Sequence, residues 1–417
     1  MLADRSFRIF WFAQAISLTG SAVTAVVLPL LMYQQTSSSV ATSLLATTEA
    51  IPYIVFGPFA GVISDRVRRR PYLVGFDLAS AAVVGVVPLS WAFGVLSVPV
   101  LFAAGFGAGI CFVWYDAALF GAVPALVGRD GLLRANPLLQ GTSTAASLIG
   151  PALGTILAAA IGAAPALSLD AASFAACAAL IALIPKPMQD PRARTGGRDA
   201  GLARQIFSDL AEGLRFLWDD RIIRALVATS LALSVAGGAV FGLLVVYATK
   251  GLGLSAHSAL IGLFYTAAAL GSLVTAASAS WLGRRVGLIR ATLLALAASP
   301  VLLAGFAVAD QVPAALALLT AWAVTYSGVT INAITARQIR IPGRLQGRVN
   351  TTARLLGWGI GWPIGAAIAG VLAGAVGVRT TYLLAAAGLA LLAVLAWLSP
   401  LRAERSGPIG QAPPARP

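Results

Sequence analysis

Long apolar runs, each closed by a short basic cluster, set the tightest limit on what this chain can fold into. The run that precedes "GVISDRVRRRP" (61–71) meets one acid and four arginines at positions 65 to 70. A soluble core helix has no reason to stop that way, whereas a helix leaving a bilayer on its basic side does. A spanning helix needs about 20 mainly apolar residues. Runs of that kind lie at 8–32, 40–63, 72–93, 97–123, 138–160, 165–185, 222–247, 256–281, 287–308, 313–336, 350–374 and 379–399. Hydrocarbon offers no partner to a backbone N–H or C=O, so each run must satisfy its own as an α-helix. The expected fold class is an all-α membrane protein with twelve transmembrane helices.

Composition supports this and excludes the main rivals. Of the 417 residues, 59% are hydrophobic and 11% charged, with mean hydropathy +0.87; soluble domains carry roughly 25% charged residues. The net charge of +14 does not mark a nucleic-acid binder, because the arginines sit in clusters between apolar runs and not on a solvated face beside a modest core. Two cysteines, Cys111 and Cys177, and a single histidine make a disulfide framework or a His/Cys metal site untenable, and no cofactor is expected. The first run, about 25 residues, is too long for the roughly 7–15-residue core of a signal peptide and has no A-x-A-like cleavage site, so it reads as a retained first span.

Orientation follows from the basic residues. With the N-terminus inside, all but two of the 29 Lys and Arg residues fall on the cytoplasmic side, leaving Lys250 and Arg379 outside. Both termini are therefore expected in the cytoplasm, with the arginines after Gly61 anchoring the second span there. A long connection divides the chain into 1–185, 186–221, 222–400 and a tail, 401–417: a six-helix half, a cytoplasmic linker, a second six-helix half and a disordered end. Within the linker, Ile206, Leu210, Leu214 and Leu217 recur at helical spacing, which predicts an amphipathic helix on the membrane surface. The halves also repeat. "LLRANPLLQGTSTAASLIGP" (132–151) and "LQGRVNTTARLLGWGIGWP" (345–363) share an Arg-x-Asn turn, Arg134/Asn136 and Arg348/Asn350, followed by a glycine-rich helix carrying Pro151 or Pro363. Two pseudo-symmetric halves with a cavity between them at the membrane midplane describe a secondary transporter.

With these residues in place, the sequence resembles the major facilitator superfamily over nearly its whole length. Gly61, Asp65, Arg66, Arg69 and Arg70 form "G-x-x-x-D-R-x-x-R-R" between the second and third spans, which looks like that family's signature loop. In "ASLIGPALGT", Gly150, Pro151 and Gly154 match the core of its fifth-helix antiporter motif, with Ala146 and Thr155 where flanking glycines are usual. "VPALVGRDGLLRAN" and "LSLDAASF" look like the branch holding macrolide-efflux and siderophore (enterobactin)-export proteins. The chain departs from the pattern at Arg68, where many members have glycine, at Arg284, which stands in the acid position of "SWLGRRVGLIR", and in "PVLFAAGFGAGICF", which lacks the arginine common early in the fourth helix. The resemblance implies that Asp65 contacts the start of the eleventh helix, around Asn350 to Arg354, only while the cytoplasmic side is closed, and so favours the outward-facing state.

Four further acids lie inside the spans: Glu49, Asp77, Asp116 and Asp170. An ionised carboxylate near the bilayer centre costs at least about 2.5–3.5 kcal/mol, so each is a functional candidate by default. Asp77 is close enough to the signature-loop arginines to pair with one, and Asp170, in "LDAASF", reads as structural. Glu49 and Asp116 have no cation at their depth; a carboxyl group without a counter-charge favours its neutral form, as a reversible proton carrier requires, and these two are the coupling candidates. Gln14, Trp114, Tyr115, Trp322, Tyr326, Asn332, Trp358 and Trp362 are candidates to line the cavity. Gly105 and Gly109, four apart, suit close helix packing and not phosphate binding, since they follow no strand and no P-loop lysine exists.

The expected function is export of small amphipathic molecules across a bacterial cytoplasmic membrane by proton antiport with alternating access, carried out by a monomer in the lipid bilayer. A dedicated exporter of one metabolite such as a siderophore, a lipid-moving facilitator, and a non-transporting receptor or scaffold are the alternatives. An enzyme is not expected.

Overall fold

A computed structural model describes residues 4–188, 202–341, 349, 352–399 and 401. The first part of the linker, the Arg348/Asn350 turn and the tail beyond Leu401 lie outside the described residues. Among the described residues, twelve helices are long and apolar enough to cross a membrane, and all the regular structure is helical. They are α1 (Arg5–Thr36), α2 (Ser39–Arg66), α3 (Arg69–Ala92), α4 (Val98–Gly128), α5 (Arg134–Ile161), α6 (Ala163–Ala182), α8 (Arg221–Gly242), α9 (Ile261–Val286), α10 (Leu288–Val308), α11 (Val312–Arg340), α12 (Thr352–Val376) and α13 (Val378–Leu398). The shorter α7 (Leu202–Asp219) precedes α8.

Local chemistry explains the ends. Asp4 caps α1, its carboxylate accepting from the N–H groups of Ser6 and Phe7 at 2.8 and 3.4 Å. Ser38 caps α2 by accepting from Ala41 N–H at 3.2 Å. These side chains satisfy donors that the first turn of a helix leaves unpaired. Gly128, at φ +71°, breaks the stretch from Val98 to Ile161 into α4 and α5. Gly162 and Gly377 join α5 to α6 and α12 to α13 with nearly the same backbone, φ/ψ of 95/152° and 85/158°. A side chain is strained at such positive φ, so both corners require glycine, and they recur at equivalent places in the repeat.

By contact the chain divides into two compact units, Met1–Ile206 with Gly242–Thr266, and Phe207–Phe241 with Ala267–Pro417. In the first, α3 packs along α6, α1 along α5 and α6, and α2 along α4. A core of Phe7, Phe10, Leu73, Ala118, Cys177 and Ile181 fills one end. In the second, α10 packs against α11 and α13, and Leu217 of α7 is buried with Ile223, Val227 and Ile341. Leu214 is half exposed, and the side chains of Ile206 and Leu210 lie outside the described residues.

Two spans differ from the sequence expectation. The seventh, expected over 222–247, stops at Gly242, and the eighth, expected from 256, starts at Ile261. The intervening Leu244 to Ala248 are apolar because protein buries them. The last two of them open a wide turn, Tyr247–Gly251, and the turn and the residues after it are tied to α1 and α5 within the first unit. Lys250 Nζ donates to the Ser37 carbonyl at 3.1 Å, Gln34 to the Ala256 carbonyl at 2.8 Å, and Thr155 to the Ala259 carbonyl at 2.8 Å.

Candidate functional site

The signature loop is built from the end of α2 and the start of α3. The side chains of Asp65 and Arg66 lie outside the described residues, and Gly61 faces open space among the described residues. Arg69 and Arg70 have definite partners. Arg69 is buried and donates to the Gly121 carbonyl of α4 at 3.0 Å; a Cβ at Gly121 would lie 2.4 Å from the guanidinium carbon. Arg70 donates to the Ile184 carbonyl and, at 3.4 Å, to the Lys186 carbonyl, just past the end of α6. These carbonyls lie beyond the helix, where no ladder of backbone bonds satisfies them, and a guanidinium with several donors can take that role. Arg70 thereby ties the start of α3 to the segment that follows α6.

The α5 motif is a packing surface. A Cβ on Gly150 would stand 2.4 Å from Ala22 Cβ of α1, and one on Gly154 would stand 3.1 Å from Val23 Cα. Buried Pro151 presents its carbonyl to the first turn of α9, where a Cβ on Gly262 would approach to 2.4 Å. The second unit repeats the device. A Cβ on Gly365 of α12 would meet the Val235 carbonyl of α8 at 1.9 Å, and one on Gly238 would meet the Trp362 carbonyl at 2.0 Å. Small residues let membrane helices approach backbone to backbone, and here the fifth helix of each repeat approaches the first.

The four intramembrane acids have different surroundings. Glu49, half-buried on α2, lies against α4: a Cβ on Gly105 would be 3.2 Å from its Cγ, and one on Gly109 would be 2.3 Å from its carbonyl oxygen. Tyr265 is within its electrostatic reach. Asp116, half-buried on α4, is engaged by a neighbouring group. Asp170 on α6 accepts from Thr24 of α1 and from Ser173 at 3.0 Å, a pin between two helices. Asp77, expected to pair with an arginine, is instead buried beside Cys177. The structure moves it away from the loop because α3 turns its Asp77 face toward α6, the helix it packs along.

The aromatic candidates fall into two series. In the second unit Trp358 stacks on Trp362, 5.6 Å between centroids and 7° between planes. Trp362 stacks on Phe241 at 5.3 Å, Phe241 meets Trp322 at 6.3 Å, and Trp322 meets Tyr326 at 5.2 Å. The series runs from Trp358, 59% exposed, to Trp322, which is fully buried with its indole N–H unpartnered among the described residues. Asn332, on the same helix as Trp322, is buried. In the first unit Trp114 lies between Phe56 at 5.9 Å and Phe76 at 6.2 Å. Gln14 and Tyr115 are joined by a 2.6 Å hydrogen bond. Sequence reasoning missed Phe56, Phe76 and Phe241, since a phenylalanine in an apolar span carries no local signal. The repeat could have flagged Phe241, which lies on the helix that Gly365 packs against. Among the described residues, no three His, Cys, Asp or Glu side chains are grouped to hold a metal.

Twelve membrane-length helices, with the glycine-mediated packing of the fifth helix on the first recurring in both repeats, define a multi-pass membrane protein built of two repeats. The chain belongs to the major facilitator superfamily, whose family profile matches residues 10–356. It is 30% identical over 226 residues to the multidrug efflux pump Tap of Mycobacterium tuberculosis, covering 52% of this chain and 51% of that protein. It is 26% identical over 223 residues to macrolide efflux protein A of Streptococcus pyogenes, covering 53% of each. The match to the enterobactin exporter EntS of Citrobacter koseri is 26% over 288 residues, covering 67% of this chain and 64% of that one. The chain thus spans about half the length of the first two relatives. Among solved structures, the nucleoside transporter NupG superposes with a TM-score of 0.77 at 12% identity, over 96% of this chain and 100% of that chain. A bacterial homologue of ferroportin does so with 0.71 at 18%, over 94% and 98%. At these identities the likeness concerns the fold.

Proposed function

We propose that the protein exports small, amphipathic, ring-bearing molecules from the bacterial cytoplasm, exchanging them for protons by alternating access. The observation that carries this reading is the aromatic series from exposed Trp358 to buried Trp322. Stacked rings bind flat apolar surfaces with little regard to the rest of the ligand, and each aromatic pair contributes about 0.5–1.5 kcal/mol beyond its buried area. Efflux relatives support the direction of transport. Proton entry supplies the drive, since a potential of 100 mV contributes about 2.3 kcal/mol per charge moved. Glu49 and Asp116 are the candidate carriers, Asp65 with Arg66 the gating pair, and residues 1–185 and 222–400 the two moving halves. The protein works as a monomer in the cytoplasmic membrane with both termini inside.

The test is accumulation of ethidium or erythromycin in everted vesicles energised by a pH gradient. Trp362→Ala should weaken apparent affinity by a few-fold, the equivalent of one lost stack, and Trp362→Phe should recover it. Glu49→Gln or Asp116→Asn, whichever replaces the carrier, should abolish uphill accumulation and leave downhill exchange intact. Transport indifferent to the pH gradient overturns the antiport reading; unchanged affinity in Trp362→Ala overturns the aromatic site. A second reading, export of a single siderophore-like metabolite, is favoured by the longer alignment to the enterobactin exporter. Competition of ethidium transport by one catecholate alone, and by no unrelated drug, would select it.

A further inference from the structure

Four side chains from four helices meet inside the first unit, and one of them is Asp77, an acid to which the proposed mechanism gives no role. Asp77 of α3 is 1% exposed, Gln14 of α1 is 3% and Cys177 of α6 is 0%. The Gln14 amide donates to the Tyr115 hydroxyl of α4 at 2.6 Å. That hydroxyl lies 3.8 Å from the Cys177 sulfur, and the thiol lies within electrostatic reach of the Asp77 carboxyl. Because the Gln14 amide occupies the phenol oxygen as a donor, the phenol O–H is free to point at the sulfur and the S–H at the carboxyl. This chain of groups ends on a carboxyl whose Oδ2 is buried with no hydrogen-bond partner among the described residues.

The groups facing Asp77 make the site specific for a proton. Cys177 of α6 and Tyr115 of α4 are within electrostatic reach of Asp77, and behind them on α1 stand Gln14, bonded to Tyr115, and Ser17, within reach of Cys177. No lysine or arginine is among its described partners. A thiol is a weak donor, and a carboxylate left without a counter-charge in so dry a place is strongly disfavoured relative to the neutral acid. Asp170 shows the alternative on the next helix: its carboxyl is fully engaged by hydroxyl donors and pins α6 to α1. Asp77 has the burial of a structural residue without the partners of one.

We infer that Asp77, at the end of the Gln14–Tyr115–Cys177 chain, is a proton-binding site internal to the first unit, and that its proton turns over in each export cycle. This rests on the antiport reading and adds a carrier to it. On release, the carboxyl O–H bond breaks, the proton leaves to water admitted by helix movement, and the thiol donates more strongly to the new carboxylate. Rebinding reverses each change, with no other reactant consumed. Cys177, Tyr115 and Gln14 act as positioning residues.

The test uses the full-length protein in proteoliposomes with Cys111→Ala, leaving Cys177 as the sole thiol. Infrared difference spectra between acidic and alkaline buffer should show the carbonyl stretch of a buried carboxylic acid that vanishes on alkalinisation and is absent in Asp77→Asn. The isolated S–H stretch of Cys177 should shift with the same midpoint and become pH-invariant in Asp77→Asn. In ethidium transport, Asp77→Asn should reduce pH-driven accumulation to that of protein-free vesicles and keep downhill flux near wild type. A wild type that accumulates ethidium without regard to the pH gradient overturns the antiport reading and, with it, turnover of this proton. A proton-driven wild type whose Asp77→Asn variant pumps equally, or a Cys177 S–H band that ignores pH, overturns the Asp77 site alone. In the Cys111→Ala background the infrared measurement needs neither substrate nor a change at Asp77 to show whether Cys177 senses a titrating neighbour, so a pH-indifferent S–H band overturns the site even if Asp77→Asn fails to fold.

Discussion

Gly150→Ala adds one methyl at the closest approach of α5 to α1. The new Cβ would stand 2.4 Å from Ala22 Cβ and 3.2 Å from the Thr19 carbonyl oxygen. Carbon atoms rest at about 3.5–4.0 Å, so α5 must withdraw from α1 by roughly 1 Å or more. Overpacking of this size costs about 1–3 kcal/mol. Any Gly→Ala change in a helix also gains about 0.5–1 kcal/mol from the unfolded chain, which must be removed from the comparison. Gly141→Ala does so: it lies on the same helix, exposed, with open space around it among the described residues. The stability difference between the two variants then isolates the clash, about 1–3 kcal/mol. Ala22→Gly removes the offending carbon, and in Gly150→Ala/Ala22→Gly the remaining 3.2 Å contact is relieved by a shift of a few tenths of an ångström. A double-mutant cycle on apparent unfolding of the purified protein should therefore return a coupling of about 1–3 kcal/mol that favours the double variant. Equal stability of the two alanine variants, or no rescue by Ala22→Gly, would refute the claim that this motif acts by helix contact.

Arg70→Ala should lower thermal stability because it leaves the Ile184 and Lys186 carbonyls, just beyond α6, without this donor, whereas Arg68→Ala, exposed in the same loop, should do little; equal shifts would reduce Arg70 to a topological charge. Thr24→Val removes a hydroxyl donor from Asp170 and should cost about 0.5–1.5 kcal/mol, with Thr24→Ser close to wild type; this is read by the same unfolding assay. Cysteines placed at Ser38 and Gly251 should react with an impermeant thiol reagent from outside and one at Gly197 should not, against a low background because Cys111 and Cys177 are buried. The reverse labelling pattern would invert the proposed orientation. Asp65→Asn should retain the fold and lose transport, as removal of charge from a gate requires, and normal export by this variant would leave the loop without a gating role.

The spans were legible in the sequence because crossing hydrocarbon is a one-dimensional requirement: enough consecutive apolar residues, with charge at the ends. Most boundaries fall within a few residues of the expected ones, and the motifs at Gly61–Arg70 and Gly150–Gly154 were sufficient for the family. The criterion failed at Leu244 to Ala248, where burial in protein demands the same residues as burial in lipid. It was also silent on which way each helix faces. These helices are apolar all round, and a helix without a polar stripe does not announce its inward side. Only the tertiary structure could set the Asp77 face of α3 toward Cys177 and away from the arginines, bring Phe241 between Trp362 and Trp322, and give Arg70 the carbonyls just beyond α6. Each of these joins residues far apart in the chain; at the α8–α12 contact the fit of backbone against backbone at Gly238 and Gly365 sets the pairing, which sequence spacing marks as permitted and only packing makes real.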